Sequence, residues 1–217
     1  MPEVHLVDHV PAAFAALVQE RRPSSIALSG GSTARECYEA AAALDRDWSD
    51  TSFWFGDERW VPVTDAESNE GMARRVWLDH GPTAGVHSLF EAGPDPETAA
   101  RHYETQLRAA APLGLVHLGL GPDGHTASLF PSSPALDETA RWVITTGDAL
   151  HPHPRLTVTF AALALVETIV VTVAGAEKRD AYHRVMAGER DCPASRLVTD
   201  VELAGRAVWL VDAAAAA

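Results

Sequence analysis

The fold of this 217-residue chain is decided by the stretch Val116-His-Leu-Gly-Leu-Gly-Pro-Asp-Gly-His-Thr-Ala-Ser-Leu-Phe-Pro131. Residues 113–120 are largely aliphatic and bounded by turn residues, which predicts a short buried strand. The following residues, Gly121-Pro-Asp-Gly124, favour a tight turn with unusual backbone angles. Asp123 and His125 therefore lie at the tip of the strand. Because open α/β sheets bind ligands at the carboxyl ends of their strands, this pair predicts a reactive site.

Strands and helices alternate through the rest of the sequence. Short apolar runs predict further strands at 25–28, 51–55, 86–90, 142–146, 155–159, 167–174 and 207–211. Helices are predicted at 11–20, 34–44, 67–79, 96–110, 160–165 and 175–187. This alternation is typical of α/β proteins. The sequence therefore predicts one domain, residues 1–217, built as a three-layer, mostly parallel, Rossmann-like sheet flanked by helices.

Charge and composition exclude several classes of partner. The formal net charge is −13, which argues against nucleic acid and anionic membranes because both repel an acidic protein. No apolar run approaches the roughly eighteen residues of a membrane span, and no signal peptide is evident at the N-terminus. Cys37 and Cys192 lack metal-binding spacing and are expected to be free thiols in a reducing compartment. We expect a cytoplasmic monomer.

Residues 29–33, Ser29-Gly-Gly-Ser-Thr33, form what we call the anion loop. The loop joins a predicted strand to a predicted helix, so unpaired N–H groups and the positive end of the helix dipole meet there. Backbone and hydroxyl donors for a phosphate group would come from Ser29, Gly30, Gly31, Ser32 and Thr33. Two alternatives stay open. The loop could be a purely structural turn, or Ser29 could be a nucleophile, since Ala27-Leu-Ser-Gly-Gly31 resembles an esterase elbow with its first glycine replaced.

His125 is the strongest candidate for a catalytic residue. A neighbouring carboxylate such as Asp123 fixes the tautomer of a histidine and supports it as a general base. The alternative is a histidine that only caps the following turn. Residues 119–124 also match the pattern GxGxxG, but Pro131 and Pro134 leave too little room for the helix of a dinucleotide site. We therefore favour the catalytic interpretation and expect no nucleotide.

Other charged residues are ambiguous when each is considered alone. The run Gly56-Asp-Glu-Arg59 follows a predicted strand, which favours a functional role, although most such runs are solvated. Lys178 fits an exposed lysine and an anion contact equally well. Arg155 by itself reads as a solvated arginine. His151 and His153 lack a third ligand, so the sequence predicts no metal site.

Taken together, these motifs resemble the 6-phosphogluconolactonases, within the larger group that also contains the glucosamine-6-phosphate isomerases/deaminases. The resemblance spans nearly the whole chain, in the expected order, through Ser29-Gly-Gly-Ser-Thr33, Gly56-Asp-Glu-Arg-Trp-Val-Pro62, Ser68-Asn69, residues 119–131, Pro154-Arg-Leu-Thr157, Ala174-Gly-Ala-Glu-Lys178 and Pro193-Ala-Ser195. The isomerase branch carries an acidic residue after Asp-Gly-His that helps to open the sugar ring. Leu129 and Phe130 stand at that place here. Because lactone hydrolysis needs no ring-opening acid, this departure favours the lactonase branch.

The resemblance implies an enzyme of the oxidative pentose phosphate pathway that hydrolyses 6-phospho-D-glucono-1,5-lactone to 6-phosphogluconate. It implies no metal and no organic cofactor, because a δ-lactone is already an activated ester. The implied phosphate site is the part of the anion loop formed by Gly30, Gly31 and Ser32. Arg155 and Lys178 would clamp the phosphate through charge-assisted contacts.

The resemblance also implies roles for the remaining candidates. His125 would take a proton from the attacking water, and Asp123 would orient its imidazole. Arg59 is the candidate donor to the developing oxyanion, and Asp57 is the candidate partner of the sugar hydroxyls.

Two further functions are kept as alternatives. One is the isomerase/deaminase reaction, which the missing acid disfavours. The other is a non-enzymatic sugar-phosphate sensor, which would keep the anion loop without needing Asp123 and His125. Such regulators usually carry a DNA-binding segment. There is no room for one before Ile26, and the net charge is of the wrong sign.

Overall fold

The computed structural model describes residues 2–147 and 152–217. Its strands are β1 (Glu3–Val7), β2 (Ser25–Leu28), β3 (Ser52–Phe55), β4 (Asp57–Arg59), β5 (Gly85–Val86), β6 (Leu115–Gly119), β7 (Val143–Thr146), β8 (Arg155–Val158), β9 (Thr168–Val173) and β10 (Ala207–Asp212). Its α-helices are α1 (Val10–Arg21), α2 (Ser32–Ala42), α3 (Asn69–Val76), α4 (Pro96–Ala110), α5 (Phe160–Leu163), α6 (Arg179–Met186), α7 (Arg196–Thr199), α8 (Val201–Ala204) and α9 (Ala213–Ala216). Short 3-10 helices cover Leu78–His80, Pro134–Asp137, Ala176–Lys178 and Pro193–Ser195.

Seven strands form one parallel sheet in the order β1-β10-β9-β6-β2-β3-β5. Because the strands are parallel, β2, β3, β6 and β9 all end at the same edge. The segments that follow these strands carry the anion loop, Asp57, the Asp123–His125 turn and Lys178. The predicted α/β class with a mostly parallel, helix-flanked sheet is therefore confirmed, and parallel order explains why distant motifs meet.

Both faces of the main sheet are covered. Every residue of β9 is buried, as are the first four residues of β6, and strands of this kind read as continuous apolar runs. The longest helix of the described part, α4, spans 15 residues. Within residues 2–147 and 152–217, no helix has the combination of length and apolar composition that a membrane crossing needs.

A second, antiparallel sheet has the order β4-β8-β7 and corrects part of the predicted topology. The sequence placed residues 142–146 and 155–159 among alternating parallel elements and did not predict a strand after Gly56. Residues 147–154 connect β7 and β8, which is shorter than the crossover of about a dozen residues that a parallel pair needs. The two strands therefore pair antiparallel, and β4 joins them with Arg59 opposite Arg155.

The sequence failed to predict strand β1, at the edge of the main sheet. It pairs with β10 alone, and its residues are mostly exposed, with Val4 at 41% and Leu6 at 69%. A half-exposed edge strand of this kind has no continuous apolar run to signal it. The predicted strand at 86–90 is shorter than expected, because only Gly85–Val86 pairs with β3.

Candidate active site

A cleft of about 210 Å³ lies at the carboxyl edge of the main sheet. Its lining comprises Ser29, Gly30, Gly31, Asp57, Arg59, Asn69, Gly119, Leu120, Gly121, Pro122, His125, Ala127 and Lys178. The structure thus brings together seven of the residues predicted from sequence. The other four predicted residues of the described chain are adjacent to this lining. They are Ser32 and Thr33 in the first turn of α2, Asp123 beside His125, and Arg155 opposite Arg59.

Asp123 contacts His125 directly. Asp123 Oδ1 lies 2.5 Å from His125 Nδ1 and also accepts the His125 backbone N–H at 3.1 Å. Burial raises the pKa of Asp123, but the charge and hydrogen bonds of His125 outweigh burial and leave that pKa below its usual value. An ionised carboxylate only accepts, so Nδ1 carries a proton, and in the neutral form of the imidazole Nε2 keeps its lone pair. Nε2 can therefore act as a base.

Close packing holds the His125 ring in place. The ring centroid lies 4.9 Å from that of Phe130. A Cβ added at Gly121 would overlap the imidazole, and Gly121 N donates to His125 O at 2.9 Å. Only glycine leaves space for the ring at this position.

The turn that carries Asp123 and His125 also rests on a later segment. Gly124 has φ +83°, and a Cβ there would lie 2.6 Å from Cys192 Cβ. Ala194 N donates to Gly124 O at 2.9 Å. The 192–194 segment therefore supports the turn from behind, which gives a structural reason for the Pro193-Ala-Ser195 motif that the sequence left without a role.

The anion loop has the geometry of an anion site. Gly31 adopts φ +98° at the N-cap of α2, and no side chain of the described residues caps this end of the helix. The first-turn N–H groups are thus available to a ligand. Ser29 Oγ is buried and has no hydrogen-bond partner in the described part of the chain. Because no base of that part contacts the hydroxyl, the structure does not support the esterase alternative.

Asp57 is buried rather than solvated, in an arrangement that the sequence did not reveal. Ser128 Oγ donates to Asp57 Oδ2 at 2.6 Å. Asn69 Nδ2 donates to Asp57 O at 3.0 Å and lies 3.4 Å from Asp57 Oδ1. Asn69 also lines the cleft, and a Cβ at Gly30 would overlap its side chain. Only membership of Ser68-Asn69 and Ser128 in the matched motifs could have indicated them.

The buried side chain of Glu58 fixes the position of Asn69. Its buried carboxylate accepts the backbone N–H groups of Arg59, Asn69 and Glu70, each at 2.8 Å, and the Ser68 hydroxyl at 3.0 Å. Burial raises the pKa of Glu58 to about 7, and the three N–H donors oppose that shift. The Glu58 side chain thereby caps the N-terminus of α3. The first residue of this helix is Asn69, which lines the cleft.

Arg155 corrects the expectation of a solvated arginine, because it is only 7% exposed. It stands directly opposite Arg59 in the small sheet, and its buried Nη1 has no hydrogen-bond partner among residues 2–147 and 152–217. Burial and the charge of Arg59 lower the pKa of Arg155, while Asp57, Glu67 and Glu58 oppose them. Two like charges on facing strand positions repel each other unless an anion offsets them. This pair therefore concentrates positive charge beside the cleft.

Lys178 supplies a further positive charge to the cleft. It is the single lysine of the chain and ends the 3-10 helix Ala176–Lys178 that follows β9. Its backbone N donates to Gly175 O at 3.0 Å, and its half-buried side chain lines the cleft. The structure thus favours the anion-contact alternative over that of an exposed lysine.

Possible metal ligands lie elsewhere. Glu189, Asp191 and Cys192 bring ligand atoms within 4.8 Å of one another. Arg184, however, donates to Glu189 at 2.9 Å and to Asp191 at 2.7 Å, so a cation already neutralises these carboxylates. Of the two histidines considered from sequence, His153 lies 3.8 Å from Glu67, and His151 is outside the described residues.

Comparisons with known proteins agree with this geometry. A sequence profile described as "Glucosamine-6-phosphate isomerases/6-phosphogluconolactonase" matches residues 3–209. The 6-phosphogluconolactonase of Synechocystis sp. is 39% identical over 205 residues, which cover 90% of this chain and 84% of that protein. The structure of 6-phosphogluconolactonase from Trypanosoma brucei aligns with a TM-score of 0.82 at 28% identity, covering 100% of this chain and 98% of that one.

A monomeric glucosamine-6-phosphate deaminase also aligns, with a TM-score of 0.83, covering 99% of this chain and 98% of that one. Its sequence identity is 18%, so this likeness concerns the fold alone. The profile match and the level of identity over most of the chain settle the family. The chain belongs to the glucosamine-6-phosphate isomerase/6-phosphogluconolactonase family.

Proposed function

We infer that the chain is a 6-phosphogluconolactonase, which hydrolyses 6-phospho-D-glucono-1,5-lactone to 6-phosphogluconate in the pentose phosphate pathway. The observation that carries this inference is the Asp123–His125 pair, which shares one cleft with the anion loop and Lys178. A base and an anion site in one cleft suit a phosphorylated ester. The names of the relatives at 34–40% identity support the same activity.

The reaction needs one base and one site of negative-charge stabilisation. His125 Nε2 takes a proton from water as the water oxygen attacks C1 of the lactone. The carbonyl becomes an oxyanion, and we assign its stabilisation to Arg59, which lines the cleft. The bond between C1 and the ring oxygen then breaks, and protonated His125 returns its proton to that oxygen. The product is the open-chain acid, and Asp123 holds the imidazole in one tautomer throughout.

Binding of the substrate is assigned to the rest of the cleft. The phosphate lies on the anion loop, where Gly30, Gly31 and Ser32 offer N–H groups, and Lys178 provides a charge-assisted contact. Arg155, which pairs with Arg59 across the small sheet, adds positive potential beside it. Asp57, held by Ser128 and Asn69, accepts hydrogen bonds from sugar hydroxyls.

The deaminase alternative is less well supported. Ring opening in that branch relies on an acid shortly after Asp-Gly-His. In this chain the position holds Leu129, which is fully buried, and Phe130, whose ring contacts that of His125. Neither side chain can donate or accept a proton.

We also propose a cytoplasmic location and a monomeric state. Cys37 and Cys192 are both free and buried, which fits a reducing compartment. Size-exclusion chromatography with light scattering tests the second proposal, and a mass near twice the 23.2 kDa of one chain would contradict it.

The decisive test of the function is a lactone-consumption assay. We expect rapid turnover of 6-phosphogluconolactone after the spontaneous hydrolysis rate is subtracted, and much slower turnover of the unphosphorylated lactone. Release of ammonia from glucosamine 6-phosphate, measured in parallel, would instead favour the deaminase. Binding of sugar phosphates without turnover of either substrate would favour a sensor.

Replacing Lys178 with alanine tests the phosphate site. Loss of one charge-assisted contact should weaken binding of 6-phosphogluconate by about tenfold to a hundredfold. Binding of gluconate, which lacks the phosphate, should change little. Calorimetric titration of both ligands measures the difference.

The matched control is Arg179→Ala, which removes the same charge one residue further along. Arg179 donates to Ala214 O at 3.2 Å and is exposed, so this variant should keep the wild-type affinity for 6-phosphogluconate. If Lys178→Ala and Arg179→Ala weaken binding equally, the effect is one of net charge and the phosphate lies elsewhere.

A further inference from the structure

A chain of buried hydrogen bonds lies directly beneath the anion loop and has no part in the mechanism above. Ser29 N donates to Tyr38 Oη at 2.7 Å, and the same oxygen lies 3.2 Å from Ser29 O. Tyr38 Oη is also 2.9 Å from His117 Nδ1, and His117 Nε2 is 2.9 Å from Thr172 Oγ1. All four residues are buried.

His117 is an unusual residue for this part of the core. It is fully buried, with its ring centroid 4.4 Å from that of Phe14 and 5.4 Å from that of Tyr38. Burial lowers the pKa of His117 to about 3, so the imidazole is neutral. A neutral imidazole has one donor and one acceptor nitrogen and can serve both neighbouring hydroxyls. A satisfied buried network of this kind rigidifies the segments that it joins.

The segments joined by this network are those that carry the residues of the candidate active site. Tyr38 lies on α2, which begins at the anion loop. His117 lies on β6, which leads into the turn of Asp123 and His125. Thr172 lies on β9, which leads to Lys178. The network thus ties the three segments together within a few residues of the cleft.

We propose that Tyr38 and His117 are positioning residues, which set the anion loop at a fixed place relative to the Asp123–His125 pair. The backbone N–H of Ser29 is held by Tyr38 and is therefore not a phosphate donor, which leaves Ser29 Oγ and the N–H groups that follow it. This role deepens the proposed function and rests on it where the bound anion is the phosphate of the substrate.

The chain contains a matched control for Tyr38. Tyr103 Oη accepts Phe55 N at 2.7 Å and donates to Phe55 O at 3.1 Å, and its side chain is fully buried. The same pair of backbone hydrogen bonds is therefore made on the neighbouring strand β3. Removal of either phenol oxygen costs this pair of backbone hydrogen bonds, and Tyr38→Phe also loses the contact with His117. Of the two tyrosines, Tyr38 is the one that holds the anion loop.

The test compares Tyr38→Phe with Tyr103→Phe in the full chain. We expect both variants to lower the melting temperature, Tyr38→Phe somewhat more because it also removes the contact with His117. Only Tyr38→Phe should raise the dissociation constants of inorganic phosphate and 6-phosphogluconate, and the KM for the lactone, by about tenfold, the effect of roughly one hydrogen bond. kcat and its pH profile should stay within about threefold of wild type. Equal ligand effects in both variants, or unchanged phosphate affinity in Tyr38→Phe, would overturn the proposal.

His117→Phe provides a second variant if Tyr38→Phe fails to fold. It fills the ring position and removes both ring nitrogens, so phosphate affinity should fall about threefold, and unchanged affinity would count against the proposal. A wild-type chain that is inactive on the lactone would defeat the proposed function alone. A loss of phosphate affinity specific to Tyr38→Phe would still support the positioning role.

Discussion

Replacing His125 with alanine is expected to lower kcat for 6-phosphogluconolactone by about two to four orders of magnitude, the usual contribution of a general base. Nε2 of this residue is the free acceptor of the Asp123–His125 pair, because Nδ1 is held by Asp123 at 2.5 Å. The residual rate would come from Arg59 and from substrate positioning. Steady-state kinetics, with the spontaneous rate subtracted, measures the loss.

The His125→Ala variant should still bind 6-phosphogluconate. The dissociation constant of 6-phosphogluconate should change by less than about threefold, because the anion loop and Lys178 are untouched. His102→Ala is a suitable control, since His102 lies on the exposed side of α4, where its Nδ1 is 3.0 Å from Ala92 O. Near-wild-type kcat in His125→Ala would remove His125 from the mechanism.

The second large effect is expected from Gly121→Ala, which adds a single methyl group behind the catalytic ring. A Cβ at this position overlaps the imidazole of His125, so the ring must turn away from Asp123. Misplacement of a catalytic group by about 1 Å costs roughly a hundredfold in rate. We expect kcat to fall by about tenfold to a hundredfold, with a smaller change in the affinity for 6-phosphogluconate.

Gly56→Ala is the matched control for this substitution. Gly56 also follows a strand at the carboxyl edge, but a Cβ there would meet its nearest neighbour, Leu28 O, at an ordinary 3.6 Å. This variant should keep kcat within about twofold of wild type. If both alanine variants lose activity to the same extent, general disturbance of the strand ends, rather than displacement of His125, explains the result.

Local sequence signals predicted most of the parallel sheet and much of the cleft. The α4 helix was predicted with its observed bounds, Pro96–Ala110, and β2 with its bounds, Ser25–Leu28. Glycine-rich turns after strands located the anion loop and the Asp123–His125 pair. These signals are reliable because strand, turn and helix N-terminus are formed by neighbouring residues, whose backbone preferences act without the rest of the chain.

The sequence did not predict side-chain contacts between residues that are far apart in the chain. Arg155, considered alone, was interpreted as solvated because no local pattern shows that its strand pairs with β4. The hydrogen bond from the Ser128 hydroxyl to Asp57, 71 residues away, was not predicted. Nor was the contact between the His117 ring and Tyr38, which are 79 residues apart.

The sequence by itself determined the fold class, the family and the chemical types present at each strand end. Tertiary structure alone decided which of them share the cleft, which are adjacent to it, and what supports them. The physical reason is the order of strands in the sheet. Crossover connections place β6 between β2 and β9, and this order brings Asp123, His125, the anion loop and Lys178 together. No local pattern of residues encodes that order.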